Sequence, residues 1–271
     1  MHTTVSDGQR SPEEAARLYR EAGYDAVAFT EHWIYGEGGY VSGLKILSGI
    51  EYNTGTMDAA TGVYHIVGVL MHKKPFVMRS ATPQEIIDAI HDAGGIAILA
   101  HPAWSLNTPE KIARFRGLDG IEIYNSVSEG GKNRRGDSSL IIDMLAVDGK
   151  FYPLHAADDT HAFDYDLAKS FICVESESCD RASLVSAIKA GKFYASQGPE
   201  IHLSRINEGF RVDCTEAKEI VFMSHMCSSK RVFEGNALTS AIYVPREGER
   251  NVRAYVTDKY GRRAWSGYID L

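Results

Sequence analysis

The sequence has no Cys-x-x-Cys pair. Its four cysteines, Cys173, Cys179, Cys214 and Cys227, are scattered, so a thiolate zinc site is not indicated. Reduced, buried thiols in a cytoplasmic protein are the expectation instead. No apolar run nears the roughly 18 residues of a membrane span, and no signal-peptide pattern stands ahead of His2, so no membrane partner is expected. Positive charge is not in excess either: 29 Lys and Arg against 36 Asp and Glu leave a net charge of -7. That balance argues against nucleic acid as a partner but leaves room for a local basic pocket that takes a small phosphate. What remains, with 44% hydrophobic and 24% charged residues in 271, is the composition of a globular protein. The length suits one large α/β domain, or one domain with a small companion.

One local pattern recurs. Ser11-Pro12-Glu13-Glu14, Thr82-Pro83-Gln84-Glu85 and Thr108-Pro109-Glu110 each read as an N-cap, a proline at the first helical position and acid in the first turn. Between these starts lie apolar runs that suit buried parallel strands: DAVAFTEH, LKILSGIEY, VYHIVGVL, GIAILAHP, GIEIYN, KFYPLHAADD and SFICVES. The alternation predicts a βα-type barrel or a doubly wound sheet. His32, Glu51, His101, Asn125, Asp159 and His161 fall at or just past the ends of these runs. Strand ends converge on one face of a barrel, whereas an open sheet gathers only those near its switch point, so the barrel is favoured. After a helix over Arg181–Lys192 the pattern changes to period-2 stretches separated by turns such as Asn207-Glu208-Gly209 and Lys259-Tyr260-Gly261. The division read from this is a barrel over 1–197 and a small antiparallel β domain over 198–271.

Imidazoles and carboxylates gathered at strand ends are what a hydrolytic metal centre requires, nitrogen for the ion and carboxylate to bring charge and to bridge. The candidates are His2, Asp7, His32, Glu51, His65, His101, Asp159 and His161. Singly, each has an ordinary explanation. His65 inside VYHIVGV reads as a hydrogen-bonded core residue, Glu51 as a cap, and Asp159-Thr160-His161 as a turn. It is the set that carries information.

These residues, in order, resemble the PHP superfamily (polymerase and histidinol phosphatase domains), and within it the CehA/McbA-like branch. The likeness rests on His2-Thr3 with Ser6-Asp7-Gly8, Thr30-Glu31-His32, Gly49-Ile50-Glu51, His65, Ala100-His101-Pro102, Gly120 to Asn125 and Asp158-Asp159-Thr160-His161. GKFYASQGPEI and VTDKYGRRAWSGYI add to it, so that it covers nearly the whole chain. The resemblance implies a distorted (βα)7 barrel whose strand ends hold two or three divalent ions of manganese, zinc or iron. By position, His2 and Asp159 would bind one ion, with Glu51 bridging to a second held by His65 and His101. Asp7, His32 and His161 match the ligands of a third. A hydroxide bridging two ions would attack phosphorus.

On the substrate side, His155 is placed one strand pitch before Asp159 as an acid or hydrogen-bond donor. Arg134 and Arg135 in a Gly-rich loop, and Lys169, are candidates for holding phosphate. Glu122 and Asn125 are expected to orient neighbours, and Trp33, Trp104 and Tyr35 to wall a pocket for an organic ester group. The expected function is a metal-dependent phosphoesterase acting on small phosphomonoesters or diesters. The alternatives are a carboxylester or carbamate hydrolase and a non-catalytic metal-binding module. Two departures from the family pattern stand out. Glu31 replaces the aspartate of Thr-Asp-His, and the opening Asp-Leu-His-x-His-Thr begins here at x, which is Met1. The expectation is therefore that the native start lies upstream. Metal identity, natural substrate and oligomeric state are not legible.

Overall fold

The computed structural model describes residues 1–58, 61–131, 133–227 and 231–271. All three expected helix starts form helices, because each supplies its own cap. Ser11 Oγ accepts the Glu14 N–H at the head of α1 (Pro12–Glu21). Thr82 and Glu85 complete a reciprocal capping box on α2 (Pro83–Asp92). Thr108 caps the short α3 (Pro109–Ile112). Gly94, at φ +71°, terminates the chain segment after α2. Three further helices follow: α4 (Ser126–Glu129), α5 (Ser139–Val147) and α6 (Arg181–Lys189).

The strands form three sheets. β1 (Ala26–Ala28), β2 (Gly39–Val41) and β3 (Leu44–Leu47) make a small sheet ordered β1-β3-β2, with β1 and β3 parallel. β4 (Gly49–Thr56), β5 (Gly62–Val69), β6 (Ile96–Leu99), β7 (Gly120–Asn125) and β8 (Leu154–Ala157) make a five-stranded sheet in that order. The third sheet has eight strands. β9 (Phe171–Val174), β10 (Phe193–Ser196), β11 (Ile201–Ile206), β12 (Gly209–Met223), β13 (Val232–Tyr243), β14 (Asn251–Thr257), β15 (Arg263–Trp265) and β16 (Ile269–Asp270) build it.

The architecture is therefore mixed α/β, and it departs from the expected series of parallel strands in three places. LKILSGIEY is two strands, not one: Gly49 passes so close to Phe29 that a Cβ would lie 2.5 Å from the Phe29 carbonyl oxygen, and the chain changes sheets there. β4 and β5 pair antiparallel, as do β5 and β6; the connection between β4 and β5 is too short for the helical crossover a parallel pair needs. Only β6-β7 and β7-β8 are parallel in this sheet. Finally, β9 pairs antiparallel with β10, which pairs with β15, so both join the eight-stranded sheet.

The core of the five-stranded sheet packs Ile50, Ile66, Leu99 and Ile121 with Ile86, Ile87 and Ile90 of α2. A separate core, with Phe210, Ile220, Phe222, Val252 and Val256, sits in the eight-stranded sheet. β1 and β8 each end their sheets, and the first residues of the chain stand between them. The Thr30 N–H donates to the Met1 carbonyl at 2.9 Å, the Met1 ammonium reaches the Ala28 carbonyl at 3.3 Å, and the His2 N–H donates to the Thr160 carbonyl at 2.9 Å. Below Met1 lies a cavity of about 240 Å³ that both strands line, through Ala26, Ala28, Ala156 and Ala157.

Candidate metal centre

The first ten residues are not a fraying end. Besides the bonds made by Met1 and His2, the Thr4 N–H donates to Arg10, the Ser6 and Gly8 N–H groups to Thr3, and the Gln9 N–H to His161. Glu31, buried, gathers the segment further: its carboxylate accepts the Thr3 N–H at 3.0 and 3.2 Å, the Thr3 hydroxyl at 2.5 Å and the Ser6 hydroxyl. The glutamate at this position thus reaches across to the turn that carries Asp7. Gly8 is needed for its size, since a Cβ there would sit 2.3 Å from the His2 carbonyl oxygen.

Against this anchor the other donors converge. Glu51 enters from β4, His65 from β5, His101 two residues beyond β6, and Asp159 two residues beyond β8. His32 follows β1 and pairs by an isolated bridge with Glu51. His2 Nε2 lies 3.0 Å from both Glu51 Oε2 and Asp159 Oδ1. The other Glu51 oxygen, Oε1, lies 2.5 Å from His65 Nδ1 and 3.8 Å from His101 Nε2, which is also 3.8 Å from Asp159 Oδ2. Beside this buried group lies a more open one: Asp7 Oδ2 is 3.6 Å from the Nε2 atoms of both His32 and His161, and Asp7 Oδ1 is 3.5 Å from His2 Nδ1. Three sets of donor atoms fall within 4.8 Å of one another: His2, Asp7, His32 and His161; His32, Glu51 and His65; and His2, Glu51 and Asp159.

The orientations of His161 and His101 are set from behind. His161 Nδ1 donates to the Asp159 carbonyl at 2.6 Å, which leaves Nε2 facing Asp7. His101 Nδ1 pairs with Ser105 Oγ at 3.2 Å, leaving its Nε2 for Glu51 and Asp159. Glu122 accepts the His101 N–H at 2.8 Å and the Asn125 amide at 2.9 Å, and that amide also reaches Asp159 at 3.3 Å. His101 (φ +27°) and Asp159 (φ +52°) hold left-handed backbone, which non-glycine residues adopt at a cost that surrounding contacts must offset.

The electrostatics show what the cluster lacks. Burial alone would lower the pKa values of His2 and His101, but hydrogen bonds and charges from Glu51 and Asp159 outweigh it and raise each to about 9. Burial alone would raise Glu51 and Asp159, but the imidazoles outweigh it, holding Glu51 well below its usual range and Asp159 at about 2. Glu122, pushed up mainly by burial, sits at about 7. Two buried carboxylates thus draw protons onto the imidazoles to find positive charge. A divalent cation is the other way to supply it, and His32 Nδ1 is a buried nitrogen without a hydrogen-bond partner among the described residues. The donor set fits hard-to-borderline divalent ions.

The substrate-side candidates are placed differently. His155 lies beneath the cluster on β8, 4% exposed, its ring 4.7 Å from Phe193 and against Gly120. Burial lowers its pKa to about 4, so it is neutral near pH 7 and carries no ionisable proton to give. Arg134, Arg135 and Lys169 are exposed, and among the described residues their side chains have no hydrogen-bond or ion-pair partner. Trp104 stands 5.1 Å from His101 and 5.7 Å from His65, ring to ring. Trp33, half-buried, donates its indole N–H to Asn53 Oδ1 at 2.6 Å.

Sequence reasoning did not single out Asp158 and Asp166. Asp158 accepts the Lys169 and Ser170 N–H groups at 2.7 and 2.6 Å and the Tyr19 hydroxyl at 2.7 Å. The doublet Asp158-Asp159 was the available signal for the first; the second has none beyond its place in the loop.

No protein-family profile matches the chain. An uncharacterized protein of Methanocaldococcus jannaschii is 25% identical over 132 residues, 46% of this chain and 72% of that protein. Among solved structures, a candidate metal-dependent phosphoesterase from Bifidobacterium adolescentis is 15% identical, with a TM-score of 0.38 over 59% of this chain and 86% of that one. An amidohydrolase from Chromobacterium violaceum, with sulfate bound and no metal, is 16% identical, with a TM-score of 0.43 over 61% and 87%. A lesion-specific endonuclease from Pyrococcus furiosus is 12% identical, with a TM-score of 0.48 over 70% of this chain and 54% of that one. These neighbours bear the names of hydrolases; the chemistry of this chain rests on its own side chains. No helix among the described residues is long and apolar enough to cross a membrane.

Proposed function

We propose that the chain is a metal-dependent phosphoesterase of the PHP type, acting on small phosphomonoesters or diesters. One observation carries this reading: Glu51 sends one oxygen to His2 and the other to His65 and His101, in a buried pocket closed by Asp159. A carboxylate so divided is disposed to bridge two cations. His2 and Asp159 would hold one ion, His65 and His101 the second, and Asp7, His32 and His161 a third. Divalent manganese, zinc or iron would supply there a hydroxide nucleophile at neutral pH and neutralise charge developing on phosphoryl oxygens. Glu122 and Asn125 fix the backbone and side chain of the neighbouring donors. Arg134, Arg135 and Lys169, exposed cations on loops that follow β7 and β8, are the groups we assign to holding the phosphate. With a net charge of -7, the proposed substrates are small esters, not nucleic acid, and the proposed location is the cytoplasm.

The finer fold reading is a seven-stranded barrel over 1–197 with the β domain 198–271 attached. Its support is the way Met1 already pairs with the Ala28–Thr30 segment in parallel fashion, above a cavity that divides β1 from β8.

The test of function is turnover of nitrophenyl phosphate, bis-nitrophenyl phosphate and nitrophenyl acetate, side by side, by protein loaded with manganese. Hydrolysis of the phosphates is expected. Exclusive turnover of the acetate would favour the carboxylester or carbamate alternative, which the Trp104 indole beside His65 and His101 supports as a wall for an organic group. Failure to retain about one ion per chain, with no activity on any ester, would favour the binding module.

A further inference from the structure

The loop between β8 and β9 carries two of the proposed ligands, Asp159 and His161, and it is held in an unusual way. Three of its non-glycine residues, Asp159, Phe163 and Ala168, have left-handed backbone, at φ +52°, +68° and +54°. A loop in that state keeps its shape only if other contacts over-determine it. Asp158 holds the Lys169–Ser170 end, and the contacts at the His161 end come from Asp166, whose residue is fully buried. Its Oδ2 accepts the N–H groups of His161 at 2.8 Å and Ala162 at 3.0 Å, and its Oδ1 accepts that of Phe163 at 2.7 Å. The Asp166 carbonyl accepts the Thr160 hydroxyl at 3.1 Å. The carboxylate therefore gathers three consecutive N–H groups beginning at His161, without being among the donor sets that converge on the centre.

The consequence falls on one part of the centre. His161 has its Nδ1 tied to the Asp159 carbonyl, and its Nε2 is thereby aimed at Asp7, in the open group with His32. In the buried group, Glu51 and His65 lie on β4 and β5, His101 and Asp159 follow β6 and β8, and His2 stands in the N-terminal segment; the Asp166 carboxylate bonds to none of the five. We propose that Asp166 is the positioning residue of the third ion: it fixes the backbone of His161 so that Nε2 faces Asp7 and His32. This rests on the metal reading of the site. An amide in place of the carboxylate turns one oxygen into a donor against N–H groups, and alanine leaves all three without an acceptor.

Equilibrium dialysis against manganese alone, with ions counted per chain, tests the assignment in the 271-residue chain. Asp166→Ala is expected to weaken one ion by about tenfold or more, the scale on which outer partners of metal ligands act. The remaining ions should keep their affinity within about twofold, and Asp166→Asn should show a smaller loss in the same ion. The decisive comparison is with His161→Ala: adding Asp166→Ala to that variant should change nothing further, because the effect runs through His161. Amide exchange at residues 161–163 should quicken in Asp166→Ala while the exchange of β4 and β5 is unchanged. If Asp166→Ala does not fold, Asp166→Asn carries the same cycle. A wild-type manganese isotherm in the Asp166 variants, or a second loss added to that of His161→Ala, overturns the proposal and leaves the metal reading standing. A wild-type chain that takes up no manganese overturns both.

Discussion

Raising the pH of the metal-free protein from 6.5 to 9 should destabilise it, and loading it with metal should abolish that effect. His2 and His101 have folded pKa values of about 9 against a model-compound value of 6.5. A folded value above the unfolded one means that the stabilisation is complete below pH 6.5 and is lost as pH climbs through 9. At about 1.4 kcal/mol per pH unit, the rise is worth about 3 kcal/mol for one imidazole. The two share Glu51 and Asp159 as partners, so their contributions do not add in full, and about 3–4 kcal/mol is the figure for the pair. For a chain of this size that corresponds to a fall in Tm of about 6–16 °C. On the acid side, Asp159 is lowered from 3.8 to about 2, so its contribution is present above pH 3.8 and is lost as pH falls through 2. Metal reverses the alkaline trend because the ion replaces the protons: binding releases them, and affinity grows as pH rises. The assay is calorimetric melting at pH 6 and pH 9, with chelator and with excess manganese. A chelated protein that melts at the same temperature at both values, or higher at pH 9, would refute the reasoning that Glu51 and Asp159 hold positive charge on these imidazoles.

Three further outcomes follow from the geometry. His101→Ala and Asp159→Ala should each lower turnover by at least about 100-fold, beyond the loss typical of an outer-shell partner, with the protein still folded by circular dichroism at 25 °C; near wild-type rates in either would break the site assignment. Gly8→Ala should cost about 1–3 kcal/mol and weaken manganese binding, because its Cβ would meet the backbone of His2 and Thr3, which no rotamer change relieves; an unchanged isotherm and Tm would contradict this. His155→Phe should leave the pH-rate profile of kcat unshifted, since the imidazole is buried under the cluster and already neutral; disappearance of the basic limb would restore it as a proton donor.

What could be read from the chain alone was whatever is encoded locally. Ser11, Thr82 and Thr108 announce helices because a cap, its proline and its acid lie within four residues of one another. Strand direction is not local in this sense. The run from Gly62 to Val69 reads the same whether its neighbours are parallel or antiparallel, and only the short link to β4 decides. The corner at Ser48-Gly49 was likewise invisible, because it depends on the approach of Phe29 and on the bond from the Ser48 hydroxyl to the Met71 carbonyl. β9 looked like one more barrel strand, and its partner β10 lies beyond a helix that masks the pairing.

The site divides along the same line. That His2, Asp7, His32, Glu51, His65, His101, Asp159 and His161 would converge was legible because imidazole and carboxylate are uncommon at the ends of apolar runs, so their repetition is a signal even without coordinates. Asp158 and Asp166 were not, and Glu31 stood out only as a departure from Thr-Asp-His, because each is an acid whose partners are backbone N–H groups and hydroxyls, and no residue type marks an N–H as waiting for an acceptor. Yet two of these acids, Glu31 and Asp158, bear on how His2 is held at its place in the cluster. Glu31 holds Thr3 and Ser6, Asp158 and Asp166 shape the loop that receives the His2 and Gln9 N–H groups, and the terminus is thereby paired along most of its length. The order of the N-terminal segment is thus a property of acids that lie 29 and 156 residues away from His2 in the chain, Glu31 and Asp158, and removing either should loosen His2 without touching it.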